Sequence, residues 1–286
     1  MALTRGNYEL GGTQQALTAG VRLYYDRQQS DRNLMLSGES SIVNHHFGIG
    51  DFDRDLPLEE FSQDAIAVLL HGLEMNQIEV LLRHMGEIRP DHRVLDAGCG
   101  RGGTALSIAL RLGASVDAVT ISPYQHRFAT ALAERRGVSD RVRFHLMDYL
   151  HLDFSRACFD HVITNESTQY VLDVRDLVEG FSRVLRPGGR YTCATWCTHE
   201  AFAGCNEYAE PINLHYGTHI NSRTDYLEAM AKHGFTSIEV EDLTELAIPY
   251  WELRCQWQHR SGVELDFLRG HRERKILYLF IRGTLG

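Results

Sequence analysis

A carboxylate set just before a glycine-rich turn is the most chemically loaded feature of this chain. Val94-Leu95-Asp96-Ala97-Gly98-Cys99-Gly100-Arg101-Gly102-Gly103 runs from an apolar strand end into Thr104-Ala105-Leu106-Ser107-Ile108-Ala109-Leu110, a stretch of helix formers with an apolar face. A strand that turns tightly into a helix exposes backbone N–H groups at the helix start. Glycine at such a turn tolerates positive φ and lets a ligand approach the backbone. Gly98, Gly100 and Gly103 also satisfy the dinucleotide spacing G-x-G-x-x-G. Asp96 argues against that ligand, because a carboxylate there repels a pyrophosphate and suits a cation. Further on, Asn165-Glu166-Ser167-Thr168-Gln169-Tyr170 follows an apolar strand. A glutamate at a buried strand end is costly unless it has a task or a partner, so Glu166 is the candidate base.

These groups need a frame that brings strand C-termini together. The chain alternates accordingly: strands over 93–95, 115–120, 142–146, 159–164, 190–196, 235–242 and 277–282, with helices over 123–136 and 177–185. The predicted fold is α/β, a doubly wound Rossmann-like core over 87–286 with a cap inserted around 198–230. Residues 1–86 are read as an N-terminal arm and helical lid: a helix over 13–28 with Leu17, Val21, Tyr24 and Tyr25 on one side, an irregular stretch over 33–56, and one or two helices over 58–86. An apolar face placed ahead of the core must be covered by the chain's own lid or by a neighbouring subunit, and a homo-oligomer is expected.

Bulk properties narrow the classes. With 286 residues the chain can bury a large core. Lys+Arg is 29 against Asp+Glu 38, a formal net charge of −9, which argues against a nucleic-acid binder. No apolar run is seen that approaches the ~20 residues of a membrane span, and Met1–Gly20 has no signal-peptide core. The six cysteines form no C-x-x-C pair and read as free thiols of a reducing cytoplasm. No tight ligand cluster for a protein-held metal is present.

The string D-A-G-C-G at 96–100 resembles the first motif of class I S-adenosylmethionine-dependent methyltransferases, in which the acidic residue lies near the methionine ammonium. Thr120, Ser122 and Gln125 resemble the cyclopropane-fatty-acid and mycolic-acid methyltransferase branch, which carries Thr-Leu-Ser and then a glutamine where most class I enzymes have a ribose-binding acid. Thr120 and Gln125 are the ribose contacts that this implies, although Ser122-Pro123 also has the form of a helix start. Asp148, in Met147-Asp148-Tyr149, is placed to accept from the adenine amino group. That branch holds bicarbonate with a glutamate near the position of Gln169, and the glutamate is absent here. Asn165-Glu166-Ser167-Thr168, together with His45-His46-Phe47-Gly48-Ile49-Gly50 and Pro249-Tyr250-Trp251-Glu252-Leu253, resembles geranyl diphosphate C-methyltransferases and related terpene C-methyltransferases, from about Tyr24 to the C-terminus.

That family methylates an unactivated alkene through a carbocation. Such chemistry needs a water-excluding pocket, aromatic faces and one positioned base. The resemblance implies a cofactor set of Tyr25, Asp96, Gly98, Gly100, Thr120, Gln125, Asp148, Tyr149 and Asn165. It implies an acceptor set of Tyr24, Asn33, His46, Phe47, Tyr170, Trp196, Tyr208, Tyr250 and Trp251, with Glu166 as base. The cofactor is S-adenosylmethionine, with Mg²⁺ if the substrate is a diphosphate; the partner is a small terpenoid, without nucleic acid or membrane. Two departures stand out: Phe47 replaces the family's tyrosine, and the arginine that the family carries near the position of Met35 is lost. Arg22, Arg27, Arg32 and the His45-His46 pair remain to meet phosphate oxygens. The alternatives are a teleocidin-type methyltransferase that methylates a geranylated product and lets the cation close a ring, and an ordinary O- or N-methyltransferase with His199, His215 or His219 as base.

Overall fold

Apolar strands that are buried on both faces form parallel sheets covered by helices, and that is the architecture here. The computed structural model describes residues 13–27, 32–37, 42–53 and 57–286. Seven strands, β1 (Arg93–Ala97), β2 (Ser115–Thr120), β3 (Val142–Leu146), β4 (Phe159–Asn165), β5 (Leu185–Thr198), β6 (Phe235–Asp242) and β7 (Ile276–Leu285), make one sheet ordered β3-β2-β1-β4-β5-β7-β6. β1 to β5 are parallel, and β7 runs antiparallel between β5 and β6. The order reverses between β1 and β4, and a doubly wound sheet binds its ligand at the carboxyl ends of strands at such a point.

Among the described residues, ten α-helices flank the sheet: α1 (Gln14–Arg27), α2 (Arg32–Ser37), α3 (Gln63–His84), α4 (Gly103–Leu112), α5 (Pro123–Arg135), α6 (Val174–Val184), α7 (Ala209–Tyr216), α8 (Arg223–Lys232), α9 (Thr244–Gln256) and α10 (Glu264–Arg272). One apolar core joins α3, α4, α5, α7, α9 and α10 to the sheet, and a second joins α6 and α8 to its other face. The stretch expected to be irregular over 33–56 contains α2. The helices α9 and α10 were not legible in the sequence. Buried Ala247, Pro249, Tyr250, Trp251, Leu253 and Arg254 occupy most of the circumference of α9 and leave only a narrow polar edge of Glu245, Glu252 and Gln256, and Pro249 sits inside the helix.

Helix α3 corrects one expectation. By length and composition it is apolar enough to cross a membrane. Its stripe of Ile66, Leu70, Leu73, Ile78 and Leu81 is buried in the protein core, and the same stripe carries Glu74 and Gln77 inward. This is a core helix that also delivers polar groups to the site.

Candidate active site

The turn after β1 builds the first half of the cleft. Gly98, Gly100 and Gly102 have φ of 90°, 53° and 88°, a region that disfavours any side chain. A Cβ at Gly98 would collide with Ser167, and one at Gly103 would meet Asn44 Oδ1 at 2.6 Å. The turn is thus packed under the strand-β4 loop and the 42–50 segment, with its backbone open to a ligand. Asp96 is 1% exposed and lines this cleft. Burial lifts its pKa to about 7, against a hydrogen bond from the Ala105 N–H, and its Oδ2 has no partner among the described residues. A buried carboxylate oxygen without a partner fits a cationic ligand group, which would restore its charge.

The neighbouring strand ends complete a nucleoside-sized lining. Thr120 Oγ1 donates to Gln125 Oε1 (2.7 Å) at the end of β2. Ser122 caps α5 by accepting from the Gln125 N–H (3.1 Å), with Pro123 in the first turn. Asp148 accepts from the Leu150 N–H (2.9 Å) and faces the cleft, and Tyr149 lines it while its hydroxyl donates to the Ser167 carbonyl (2.8 Å).

Glu166 stands one residue past β4 with φ of 51°, an unusual conformation for a non-glycine residue that costs about 1 kcal/mol or more and clusters at functional sites. Its N–H donates to the Ala194 carbonyl (2.9 Å), and Ser167 Oγ donates to the Ala97 carbonyl (2.7 Å), so two strands hold the turn. Glu166 is 9% exposed at the cleft wall. Burial raises its pKa to about 8, opposed by hydrogen bonds from Tyr278 and the Phe47 N–H and by the nearby Trp196 indole. Both bonds go to Oε1, from the Tyr278 hydroxyl at 2.6 Å and the Phe47 N–H at 2.9 Å. Next to it, Asn165 accepts from Gln77 Nε2 (2.8 Å) and donates to Thr104 Oγ1 (3.1 Å). His46 lines the same cleft. Its Nδ1–H donates to the Phe47 carbonyl (3.0 Å), its Nε2 is buried without a partner among the described residues, and burial lowers its pKa to about 4. It is a neutral acceptor at pH 7.

The arrangement joins a buried carboxylate suited to a cation, a cleft of nucleoside size and a second buried carboxyl of raised pKa. The family description "Methyltransferase domain" matches residues 95–193. The chain is 36% identical over 281 residues to geranyl diphosphate 2-C-methyltransferase of Saccharopolyspora erythraea, covering 98% of both chains. The chain belongs to the geranyl diphosphate C-methyltransferase family. It is an S-adenosylmethionine-dependent C-methyltransferase. Solved structures agree: a geranyl diphosphate methyltransferase in complex with GPP and sinefungin superposes with a TM-score of 0.90 at 33% identity, over 94% of this chain and 99% of that one. The Streptomyces coelicolor enzyme, in complex with Mg²⁺, geranyl-S-thiolodiphosphate and S-adenosyl-L-homocysteine, superposes at 0.89 and 33%, over 94% and 98%.

Most residues singled out in the methyltransferase sequence converge on this cleft. Tyr25, Asp96, Gly98, Gly100, Thr120, Gln125, Asp148, Tyr149, Asn165, Glu166, His46 and Tyr170 all line it. The aromatic set divides. Phe47, Trp196, Tyr250 and Trp251 do not line the cleft; they pack on one another and on Phe267, with Phe47 4.5 Å from Trp251 and 6.0 Å from Trp196 between ring centroids. Tyr208 lies elsewhere: its hydroxyl donates to Glu273, and Lys275 sits over its ring. Tyr24 meets Tyr25 edge-on without reaching the cleft, and the side chain of Asn33 lies outside the described residues. Arg22 pairs with Asp26 in an outer groove (3.9 Å) and Arg27 is exposed, so neither lines the cleft; the side chain of Arg32 lies outside the described residues. His199, His215 and His219 do not line it either.

Sequence reasoning missed Glu74, Gln77, Tyr278 and Asp26. The signal for the first two was available, since an acid and an amide interrupt the apolar stripe of α3. Asp26 anchors α1: its Oδ1 accepts from Ser122 Oγ (2.7 Å) and the Tyr124 N–H (3.3 Å). At the other end, Gln14 donates to the Tyr170 carbonyl (3.0 Å) and accepts from the Leu172 N–H (2.8 Å). Helix α1 therefore crosses the cleft, contributing Thr18, Val21 and Tyr25 to its lining and burying Leu17 and Val21. Its apolar face is covered within the same chain, so that face does not by itself call for a partner subunit. Deleting residues 1–27 is expected to lower kcat/KM by more than tenfold, because the cleft loses its cover and a cationic intermediate meets water. Steady-state kinetics check this; full activity of the truncated enzyme would refute the cover.

Proposed function

We propose that this methyltransferase transfers a methyl group to an alkene carbon of a geranyl group, with geranyl diphosphate as the acceptor. The observation that carries the reading is Glu166, a buried carboxyl in a strained turn at the wall of the cleft that Asp96 lines. When bound, S-adenosylmethionine supplies an electrophilic methyl on a sulfonium. Asp96, the glycine turn, Thr120, Gln125 and Asp148 bind and orient that cofactor. The electron pair of the acceptor π bond would form the new C–C bond to that methyl as the methyl–sulfur bond breaks, S-adenosylhomocysteine would leave as a neutral thioether, and the positive charge would be left on the more substituted carbon. Tyr25 and Tyr170, whose hydroxyls meet at 2.5 Å, line the cleft and face this charge, keeping water out. Glu166 removes the adjacent proton and the double bond reforms.

The diphosphate is the harder part to accommodate. No Arg or Lys is among the described residues lining the cleft, and His46 is neutral. No group of three metal-ligating side chains occurs among the described residues. A diphosphate would then bring Mg²⁺ largely on its own oxygens and waters, as Mg²⁺ commonly does. The Streptomyces coelicolor relative was crystallised with Mg²⁺ and a diphosphate analogue. Radiolabelled S-adenosylmethionine, geranyl diphosphate and Mg²⁺ should give a methylated prenyl product by gas chromatography, and EDTA should abolish it. The lack of an Arg or Lys among the described residues of the cleft lining favours a second reading, an uncharged geranylated natural product. Turnover of such a compound at full rate in EDTA would select that reading.

A further inference from the structure

We propose that Tyr278 is a positioning residue for the deprotonation step: its hydroxyl pins Oε1 of Glu166 and so assigns Oε2 as the oxygen that takes the proton. The proposal rests on the alkene-methylation reading above. Tyr278 comes from β7, the antiparallel strand outside the cofactor-binding half, and is 1% exposed in an otherwise apolar run, Ile276–Ile281. Its hydroxyl donates to Glu166 Oε1 at 2.6 Å and accepts from Gln77 Nε2 at 3.1 Å. The Phe47 N–H is the second donor to the same Oε1. With two donors on Oε1, the proton affinity of that oxygen is spent, and Oε2 is the more basic atom.

Gln77 makes the hold geometric as well as electrostatic. Its Nε2 also donates to Asn165 Oδ1 at 2.8 Å, and Asn165 Nδ2 donates to Thr104 Oγ1 at 3.1 Å. One amide on α3 therefore ties the first turn of α4, beside the cofactor cleft, to the phenol that aims the base. The ionisable groups around Glu166 are Tyr278 on β7, Glu74 on α3, Tyr250 on α9 and His46 on the 42–50 segment. Glu74 disfavours the Glu166 carboxylate, and Tyr250 itself donates to Glu74 (3.0 Å). Among the described residues, Tyr278 is thus the side chain that donates a hydrogen bond to Glu166, and that bond favours the charged form.

The test is the pH profile of kcat/KM with S-adenosylmethionine and geranyl diphosphate. Tyr278→Phe removes the donor and should move the acid limb up by about one unit, with roughly tenfold slower turnover near pH 7 that recovers at higher pH. Replacing Tyr278 by 3-fluorotyrosine keeps the shape and strengthens the donor, so the limb should move down. Opposite shifts from the two variants are not expected of a merely structural tyrosine, and an unmoved limb in both overturns the proposal. Infrared titration of the Glu166 carboxyl in ¹³C-glutamate protein, with Glu166→Gln as blank, reads the same shift without turnover. Normal geranyl diphosphate turnover with no carboxyl shift sinks the Tyr278 role alone. A carboxyl shift in an enzyme that turns over no alkene overturns the proposal through its premise.

Discussion

Glu166→Gln is expected to lower kcat by ~10²-fold or more, the scale of a lost general base, while S-adenosylmethionine binding persists. The amide keeps the side chain's shape and can still accept from Tyr278 and the Phe47 N–H, so the turn after β4 should survive. Basicity is what disappears. The wild-type pH dependence carries the same signature. Burial holds the Glu166 pKa at about 8 in the free protein, well above an ordinary carboxylic acid, so the base is protonated below that pH. Activity as kcat/KM should therefore rise with pH, pass its midpoint near 8 and level off above it. The limb in kcat should lie lower, because a bound sulfonium favours the carboxylate. The Glu166→Gln profile should be flat through that range. Products matter as much as rates, since a cation without its base is open to quenching by water or to ring closure. If an internal nucleophile traps the cation instead, Glu166→Gln should keep much of its activity and Tyr170→Leu, which removes an aromatic face of the cleft, should lose more. The ratio of the two defects separates simple methylation from methylation with cyclisation. A normal rate, limb and product in both variants would sink alkene methylation at its centre.

The cofactor half of this site was legible because local rules govern it. A strand, an acid, a glycine turn and a helix lie within seventeen consecutive residues, and β2, β3 and β6 end where the sequence pattern places them. The acceptor half was not legible, because long-range packing makes it. Phe47, Trp196, Tyr250 and Trp251 look alike as aromatic candidates, yet only the docking of α9 and α10 decides that their rings fill a core rather than face the cleft. Tyr208 could not be told from Tyr170 by type; Glu273 and Lys275 draw it to the other side of the cap. The partner that aims Glu166 lies 112 residues away on β7, a distance that no motif window spans. Helix α9, which is buried around most of its circumference and carries Thr244 and Arg254 inward, lacks the one-sided pattern by which helices are recognised.

Asp96→Asn should weaken S-adenosylmethionine binding by roughly 10²-fold while making the ligand-free protein more stable at alkaline pH. Removing one partner of a buried charge pair costs ~2–5 kcal/mol of binding, and Asp96 has the unpartnered, buried oxygen that a cationic cofactor group would meet. The stability effect has the opposite sign. The folded pKa of Asp96 is raised to about 7, so the folded state holds its proton after the unfolded chain has released it. Folding is then uncompromised below the unfolded value near 4 and loses stability as pH rises from there to about 7. Each unit of that interval is worth ~1.4 kcal/mol, so the gap between Asp96→Asn and wild type should widen by up to ~4 kcal/mol between pH 4 and 8 and then stay constant. Any fixed cost of an unpaired amide shifts both ends of that comparison equally and leaves the widening intact. The same carboxylate explains a third measurement. Wild-type cofactor affinity should climb as pH passes through 7, because binding draws on the ionised form, and the Asn variant should show no such climb. Calorimetry at pH 6 and 8 with thermal melts of the ligand-free proteins covers all three. Equal affinities in the two proteins would remove Asp96 from the cofactor site, and parallel melting curves across pH would mean that its burial costs the fold nothing.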